Sequence, residues 1–180
     1  MSLILVSDVF GSTPALLKLK EQLNADLIID PYLGQSMGFK DESAAYTHFM
    51  EEVGLEEYVS NLIKILDSIK EQTTLIGFSV GATAIWKLSQ DSEHNIKQAL
   101  CYYGSQIRNF TTIPPSFTTH LVFPKSEPHF DVCKLNQQLS NKENVTTTQV
   151  DYLHGFMNFH SKNFNKTGYE EQLEFLLKAL

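Results

Sequence analysis

The feature that most constrains this chain is an alternation of two hydrophobic patterns. Strand-like runs at residues 3–7, 26–30, 73–78, 96–103, 119–123 and 144–152 alternate with segments whose apolar residues recur every three or four positions. The clearest of these segments is 55–70, where Leu55, Val59, Leu62, Ile63, Leu66 and Ile69 make one apolar stripe. Helices are also expected over 14–24, with Pro14 suited to the first turn, and over 43–53, 80–89 and 131–140. A last helix ends the chain, with Leu173, Leu176, Leu177 and Leu180 in register. Continuously apolar strands separated by helices predict an α/β fold, a mainly parallel sheet of about six strands covered on both faces. The 180 residues suit a single domain spanning 1–180, with no large cap. In such sheets ligands sit beyond the carboxyl ends of the strands, which singles out residues 8–11, 77–81, 104–108, 124–131 and 154.

Charge narrows the partners. Fourteen Lys and Arg stand against 21 Asp and Glu, for a formal net charge of −7. Non-specific nucleic-acid binding draws on clustered positive charge, so no nucleic-acid partner is expected. Arg108 is the single arginine, which argues against a site built from several guanidinium clamps. Cys101 and Cys133 make neither a disulfide framework nor a close CxxC pair. The opening residues carry no basic group before their short apolar run, unlike a secretory signal. No run reaches the roughly 18 apolar residues of a membrane span. The expectation is a soluble cytoplasmic protein with no membrane partner.

The strongest chemical signal is Gly77-Phe78-Ser79-Val80-Gly81, of the form G-x-S-x-G, between an apolar strand and a helix that begins with small residues. In that context the serine sits on a sharp strand-to-helix turn, and the glycines remove side chains that would meet the neighbouring strand and helix. The hydroxyl then projects above the sheet, and N–H groups at the helix start face developing negative charge. The plainer alternative is a glycine-flanked turn whose Ser79 caps the helix.

An alkyl hydroxyl needs a base, and the base needs a group to hold its tautomer. Of six histidines, His48 and His94 are expected at the surface. His120 opens a strand, His129 follows Pro128 in a loop, and His160 lies in the polar stretch 158–165. His154 alone follows a strand at the edge where Ser79 lies, with Gly155 permitting a sharp turn. The orienting carboxylate is expected after the fifth strand. Glu127 is favoured, and Asp131 is the rival that serves equally as a helix cap. The backbone N–H of Val80 supplies one oxyanion donor. The loop after the first strand supplies the second, from Val9 or, as second choice, Phe10. Asp8 beside them is either a turn acceptor or a partner of Ser79. Phe10, Tyr32, Met37, Phe39 and Phe156 are candidate pocket residues. Residues 31–41 are a candidate lid, and Arg108 is a candidate anchor for a substrate carboxylate or a plain surface residue.

These residues resemble the dienelactone hydrolase family of the α/β-hydrolase superfamily. The resemblance rests on Asp8-Val9-Phe10-Gly11, the Ser79 motif, Tyr102-Tyr103-Gly104, the Glu127 loop and His154-Gly155-Phe156-Met157-Asn158, in the family's order over nearly the whole chain. The order serine, acid, histidine is also the one an α/β-hydrolase sheet produces. The resemblance implies an α/β-hydrolase-type three-layer sandwich that hydrolyses a small-molecule ester or lactone through a triad, with no metal or organic cofactor. It also implies the donor role of Val9 and an acidic residue at Asp8. The founding members use a cysteine nucleophile, an aspartate and arginines that hold a substrate carboxylate, where this chain has Ser79, Glu127 and Arg108 alone. The reading is therefore a serine-nucleophile variant, a carboxylic-ester hydrolase of less specialised substrate. A thioesterase or peptidase on the same fold, and a non-catalytic binding module of the same architecture, are the alternatives. A dinucleotide-binding fold is disfavoured, because no G-x-G-x-x-G follows the first strand.

Overall fold

The computed structural model describes residues 1–91 and 93–180. Among these, six strands form one sheet in the order β2-β1-β3-β4-β5-β6 with every neighbouring pair parallel. The strands are β1 (Ser2–Val6), β2 (Leu27–Ile29), β3 (Thr73–Phe78), β4 (Ile96–Tyr102), β5 (Thr118–Phe123) and β6 (Val145–Gln149). Between and after them run α1 (Pro14–Leu23), α2 (Glu42–Glu52), α3 (Gly54–Leu66), α4 (Val80–Leu88), α5 (Val132–Leu139) and α6 (Lys166–Ala179). A 3-10 turn, Ser105–Asn109, follows β4. This is the three-layer architecture expected from the alternating patterns. No helix of the described residues is long and apolar enough to cross a membrane.

Side-chain alternation along the strands builds two cores. Ile4, Val6, Leu75, Ala99, Cys101, Leu121 and Phe123 face one way and pack with Phe49, Leu62, Trp86 and Leu135 from α2, α3, α4 and α5. Leu5, Ile76, Phe78, Leu100, Tyr102 and Val122 face the other way and pack with Leu19, Leu23, Tyr169 and Leu176 from α1 and α6. Each fully buried aliphatic or aromatic side chain contributes about 1.5–3 kcal/mol of burial. Helix α4 is buried over Val80–Trp86, because Gly81, Ala82 and Ala84 let its axis come close to the strands. Thr13, Asp41, Asp131 and Asn165 cap α1, α2, α5 and α6, each accepting a backbone N–H with its side-chain oxygen.

The strand order reverses at β1. The chain leaves β1 for β2 on one side, then crosses back to β3 on the other. In-register pairing of Val6 with Gly77, Phe78 with Tyr102, Tyr102 with Val122 and Phe123 with Gln149 brings the carboxyl ends level. Loops leaving β1 and β3 therefore lie side by side at the switch point, where the architecture leaves a crevice.

Three sequence expectations need correction. Strand β6 stops at Gln149 rather than at residue 152: the Val150 N–H makes the last ladder bond, to Phe123 O, and beyond it Tyr152 O accepts the Lys125 N–H from the loop after β5. In α6 the buried side is Tyr169 and Leu176, while Leu177 is 56% and Leu180 41% exposed, so two of the four leucines look outward. His94 is not a surface side chain: it is 8% exposed, with its Nδ1 3.7 Å from Asp67 Oδ1. His48 is half-buried against Tyr32 and Phe39.

Candidate active site

The turn after β3 is strained in a specific way. Ser79 has φ 52° and ψ −113°, a conformation that side-chain-bearing residues rarely adopt. Its N–H is held by Tyr102 O at 2.9 Å and its C=O by Thr83 N at 3.1 Å, so the surroundings enforce the bend. A Cβ on Gly77 would lie 2.6 Å from Ile85 Cδ1 and 2.8 Å from Ala82 N. A Cβ on Gly81 would lie 2.4 Å from the carbonyl oxygens of both Val6 and Ser7. Both glycines are thus required by close approach of backbone to backbone. Ser79 makes no side-chain cap to α4, so the plain capping alternative does not describe it.

The freed hydroxyl meets His154 instead. Ser79 Oγ lies 3.0 Å from His154 Nε2, and His154 Nδ1 lies 2.7 Å from Glu127 Oε1. His154 reaches this place on a turn in which Gly155 has φ 81°, and a Cβ there would lie 2.5 Å from Ser161 Oγ. Asn163 Nδ2 holds the His154 carbonyl at 2.9 Å. The Tyr103 ring, 5.0 Å from the imidazole between centroids, packs against its face. The Glu127 side chain is 6% exposed. Burial pushes its carboxyl upward, yet the hydrogen bond and charge of His154, with Ser105 and Arg108, outweigh burial and hold it below the usual carboxylate range. An ionised Glu127 accepts Nδ1–H, which leaves the Nε2 lone pair facing the serine. Asp131, the rival acid, accepts the Lys134 N–H at 3.1 Å as the α5 cap and stands apart from His154.

Ser105 was not singled out by the sequence. Its Oγ hydrogen-bonds to Glu127 Oε1 and lies 2.9 Å from His154 Nδ1. It belongs to the segment flagged after β4, but serine there carries no motif of its own. Arg108 donates to the Ser105 carbonyl at 2.6 Å, with its guanidinium 5.2 Å from the centre of the Phe130 ring. It braces the serine rather than standing as a plain surface residue.

In the loop after β1 the two candidate donors differ in their hydrogen bonding. Asp8 Oδ1 accepts the Phe10 N–H at 2.9 Å, so Phe10 has no free N–H for an oxyanion. The Asp8 carbonyl accepts Gly11 N–H at 3.1 Å, and across a planar trans peptide the Val9 N–H points the opposite way. Val80 is the first residue of α4, where the N–H has no intrahelical partner. Tyr32 Oη donates to the Val9 carbonyl at 2.7 Å and steadies this loop from behind. Asp8 takes the turn-acceptor role, and its second oxygen accepts from the Asn158 amide, tying the oxyanion loop to the histidine loop. Burial pushes the Asp8 carboxyl above its usual value and Glu42 adds to this, against Phe10, Asn158 and His154.

The cleft over Ser79 and His154, about 680 Å³, differs from the aromatic pocket expected. Among the described residues its walls come from α2 (Glu42, Ser43, Tyr46), the start of α4, the 3-10 turn (Gln106, Arg108) and the loops around 126–129 and 153–163. Tyr32, Met37, Phe39 and Phe156 do not line it, and neither does any residue of 31–41. Large rings gain more by burial than by standing at a wet rim. Tyr32 and Phe39 pack together with His48, and Phe156 is fully buried under Tyr103. Phe10 lines a smaller recess next to Ser79.

No protein-family profile matches the chain. It is 33% identical over 173 residues to the uncharacterized protein YczH of Bacillus subtilis (strain 168), covering 91% of this chain and 84% of that protein. Among solved structures it resembles a candidate dienelactone hydrolase from Klebsiella pneumoniae subsp. pneumoniae, with TM-score 0.75, 14% identity, and 98% of this chain and 84% of that one covered. Mouse alpha/beta hydrolase domain-containing protein 10 gives TM-score 0.68 at 10% identity, with 99% and 88% covered. A dienelactone hydrolase-like promiscuous phosphotriesterase from metagenomic libraries gives TM-score 0.64 at 9% identity, with 99% and 84% covered. At these identities the likeness establishes the fold, that of the α/β-hydrolases.

Proposed function

We propose that this chain, which belongs to the family of the Bacillus subtilis protein YczH and has the α/β-hydrolase fold of dienelactone hydrolase, is a serine hydrolase of small carboxylic esters. One observation carries the reading: Ser79 Oγ, His154 and Glu127 form a hydrogen-bonded chain of 3.0 and 2.7 Å at the strand ends. His154 Nε2 takes the Ser79 proton as Oγ bonds to the ester carbonyl carbon. The carbonyl oxygen becomes an anion between the N–H groups of Val9 and Val80. Removing one such donor costs about 2.7–4 kcal/mol of barrier. The tetrahedral species collapses, its carbon–oxygen bond to the alcohol breaks, and His154 returns the proton to the departing oxygen. Water, deprotonated by His154, then attacks the acyl-enzyme, and the acid leaves as Ser79 regains its proton. Glu127 stays ionised throughout and stabilises the imidazolium.

The test is steady-state hydrolysis of p-nitrophenyl acetate by wild type and Ser79→Ala, beside a matched thioester and anilide. The proposal expects the ester to turn over fastest and the variant to lose turnover. A variant as active as wild type overturns it. Faster thioester or amide cleavage transfers the reading to a thioesterase or peptidase. An inert wild type of intact fold, stabilised by a small ligand, marks a binding module.

A further inference from the structure

Two open spaces flank Ser79 and His154, and they differ greatly in size. One is a recess between the oxyanion loop and the histidine loop, lined by Phe10, Glu42, Tyr103, Gly155 and Ser161 among others. It leaves about 10 Å³ for the centre of a water-sized group, near the lower limit of about 10–15 Å³ that holds one such group. The other is the cleft, about 680 Å³ on the same measure.

The recess has stiff walls. Phe10 is 7% and Tyr103 1% exposed. The Phe10 ring stacks on His160 at 5.6 Å, and Tyr103 is wedged among Phe78, Tyr102 and Phe156 with centroids 5.6–6.4 Å apart. Asp8, bonded to the Phe10 N–H and the Asn158 amide, clamps the two loops that would have to separate to widen it. A longer aliphatic chain would also have to lie against the Glu42 carboxylate, which burial beside hydrocarbon penalises.

An ester held by its carbonyl oxygen must place its acyl and alkoxy substituents on different sides. The alkoxy group takes a proton from His154 and departs first, so it needs the open side. The acyl group stays until water attacks, so a closed recess suits it. The cleft wall sets charged and polar side chains, among them Glu42, Arg108, Gln106 and Lys162, beside Val9, Val80, Pro128, Leu153 and the half-exposed ring of Tyr46, so it takes a bulky alkoxy group of either polarity.

Resting on the ester-hydrolase reading, we infer that the substrates are acetyl esters of a bulky alcohol, with Phe10 and Tyr103 setting the acyl limit. The test compares p-nitrophenyl acetate, butyrate and hexanoate, and then hexyl acetate against methyl heptanoate, isomers that carry the long chain on opposite sides of the ester. The inference expects kcat/KM to fall from acetate to butyrate by about 10- to 200-fold, the usual span for misfitted methylenes. It expects hexyl acetate to exceed methyl heptanoate, and Phe10→Ala to raise the butyrate-to-acetate ratio at least about tenfold. Butyrate or hexanoate equalling acetate in the wild type, or methyl heptanoate outpacing hexyl acetate, overturns it; the wild-type series stands even if Phe10→Ala misfolds. Fluorophosphonate labelling of Ser79 run in parallel separates the failures. A labelled enzyme that prefers butyrate defeats the acyl assignment alone, whereas a chain labelled nowhere and inert toward every ester defeats both readings.

Discussion

Gly81→Ala tests the geometry of the turn by adding one methyl group. Its Cβ would lie 2.4 Å from the carbonyl oxygens of Val6 and Ser7 and 2.8 Å from the Val6 carbonyl carbon. Bringing a carbon to an ordinary distance of about 3.3 Å from those oxygens requires roughly 0.9 Å of movement between the start of α4 and the end of β1. Both partners are backbone in the middle of the sheet, so no side chain can rotate away. Forcing such a methyl into a packed interior costs about 1–3 kcal/mol. For a chain of this size that is about 2–12 °C in Tm. The same movement carries Ser79 and Val80 away from Val9, and misplacement by about 1 Å costs on the order of 100-fold in rate. Scanning calorimetry reads the first effect and p-nitrophenyl acetate kinetics the second. A folded Gly81→Ala variant with wild-type Tm and kcat would show that α4 and β1 are not in contact as described, and the argument for the required glycine would fail.

Glu127→Gln is expected to keep the fold and lower kcat by about 10⁴-fold through the wrong imidazole tautomer. Asp131→Ala should leave kcat unchanged and cost about 0.5–2 kcal/mol as a lost cap, read by denaturant titration; the opposite pattern would make Asp131 the acid. Because the folded-state pKa of Glu127 is lowered, its ionised form stabilises the fold. The stability difference between wild type and Glu127→Gln should stay constant from neutral pH to the ordinary glutamate range, then vanish as pH falls through the lowered value. Loss of that difference already at neutral pH contradicts the ionised assignment. Ser105→Ala removes a hydrogen bond to a charged group, about 1.5–3 kcal/mol, and should lower kcat roughly 10- to 150-fold with KM unchanged; Ser105→Thr should recover most of it.

The legible parts of this protein are those where one physical requirement dominates. Thr73–Phe78 runs through Leu75, Ile76 and Phe78 without polar-apolar alternation because both faces of β3 are buried, and α3 shows its stripe because one face packs inward. Gly77 and Gly81 were readable because no other residue fits their contacts. Strand β6 was harder to bound, since an edge strand reading Val-Thr-Thr-Thr-Gln shows only one buried residue to mark its end. The cleft was misread for a related reason. Aromatic residues in loops suggested a pocket, yet Tyr32, Phe39 and Phe156 found better burial elsewhere. The walls came from Glu42, Ser43 and Tyr46 on α2 and Ser105, Gln106 and Arg108 on the 3-10 turn, which carry no periodic signal. The choice of Glu127 over Asp131 had to await three dimensions, because an aspartate just before a helix satisfies a cap and a catalytic acid equally well on paper.

The central claim, that an imidazole activates one particular alcohol, is tested most directly by treating the folded protein with a fluorophosphonate and mapping the modified peptide by mass spectrometry. The account predicts a single adduct on Ser79, absent from Ser79→Ala and strongly reduced in His154→Ala. An adduct on another residue, or undiminished labelling of Ser79→Ala, contradicts it.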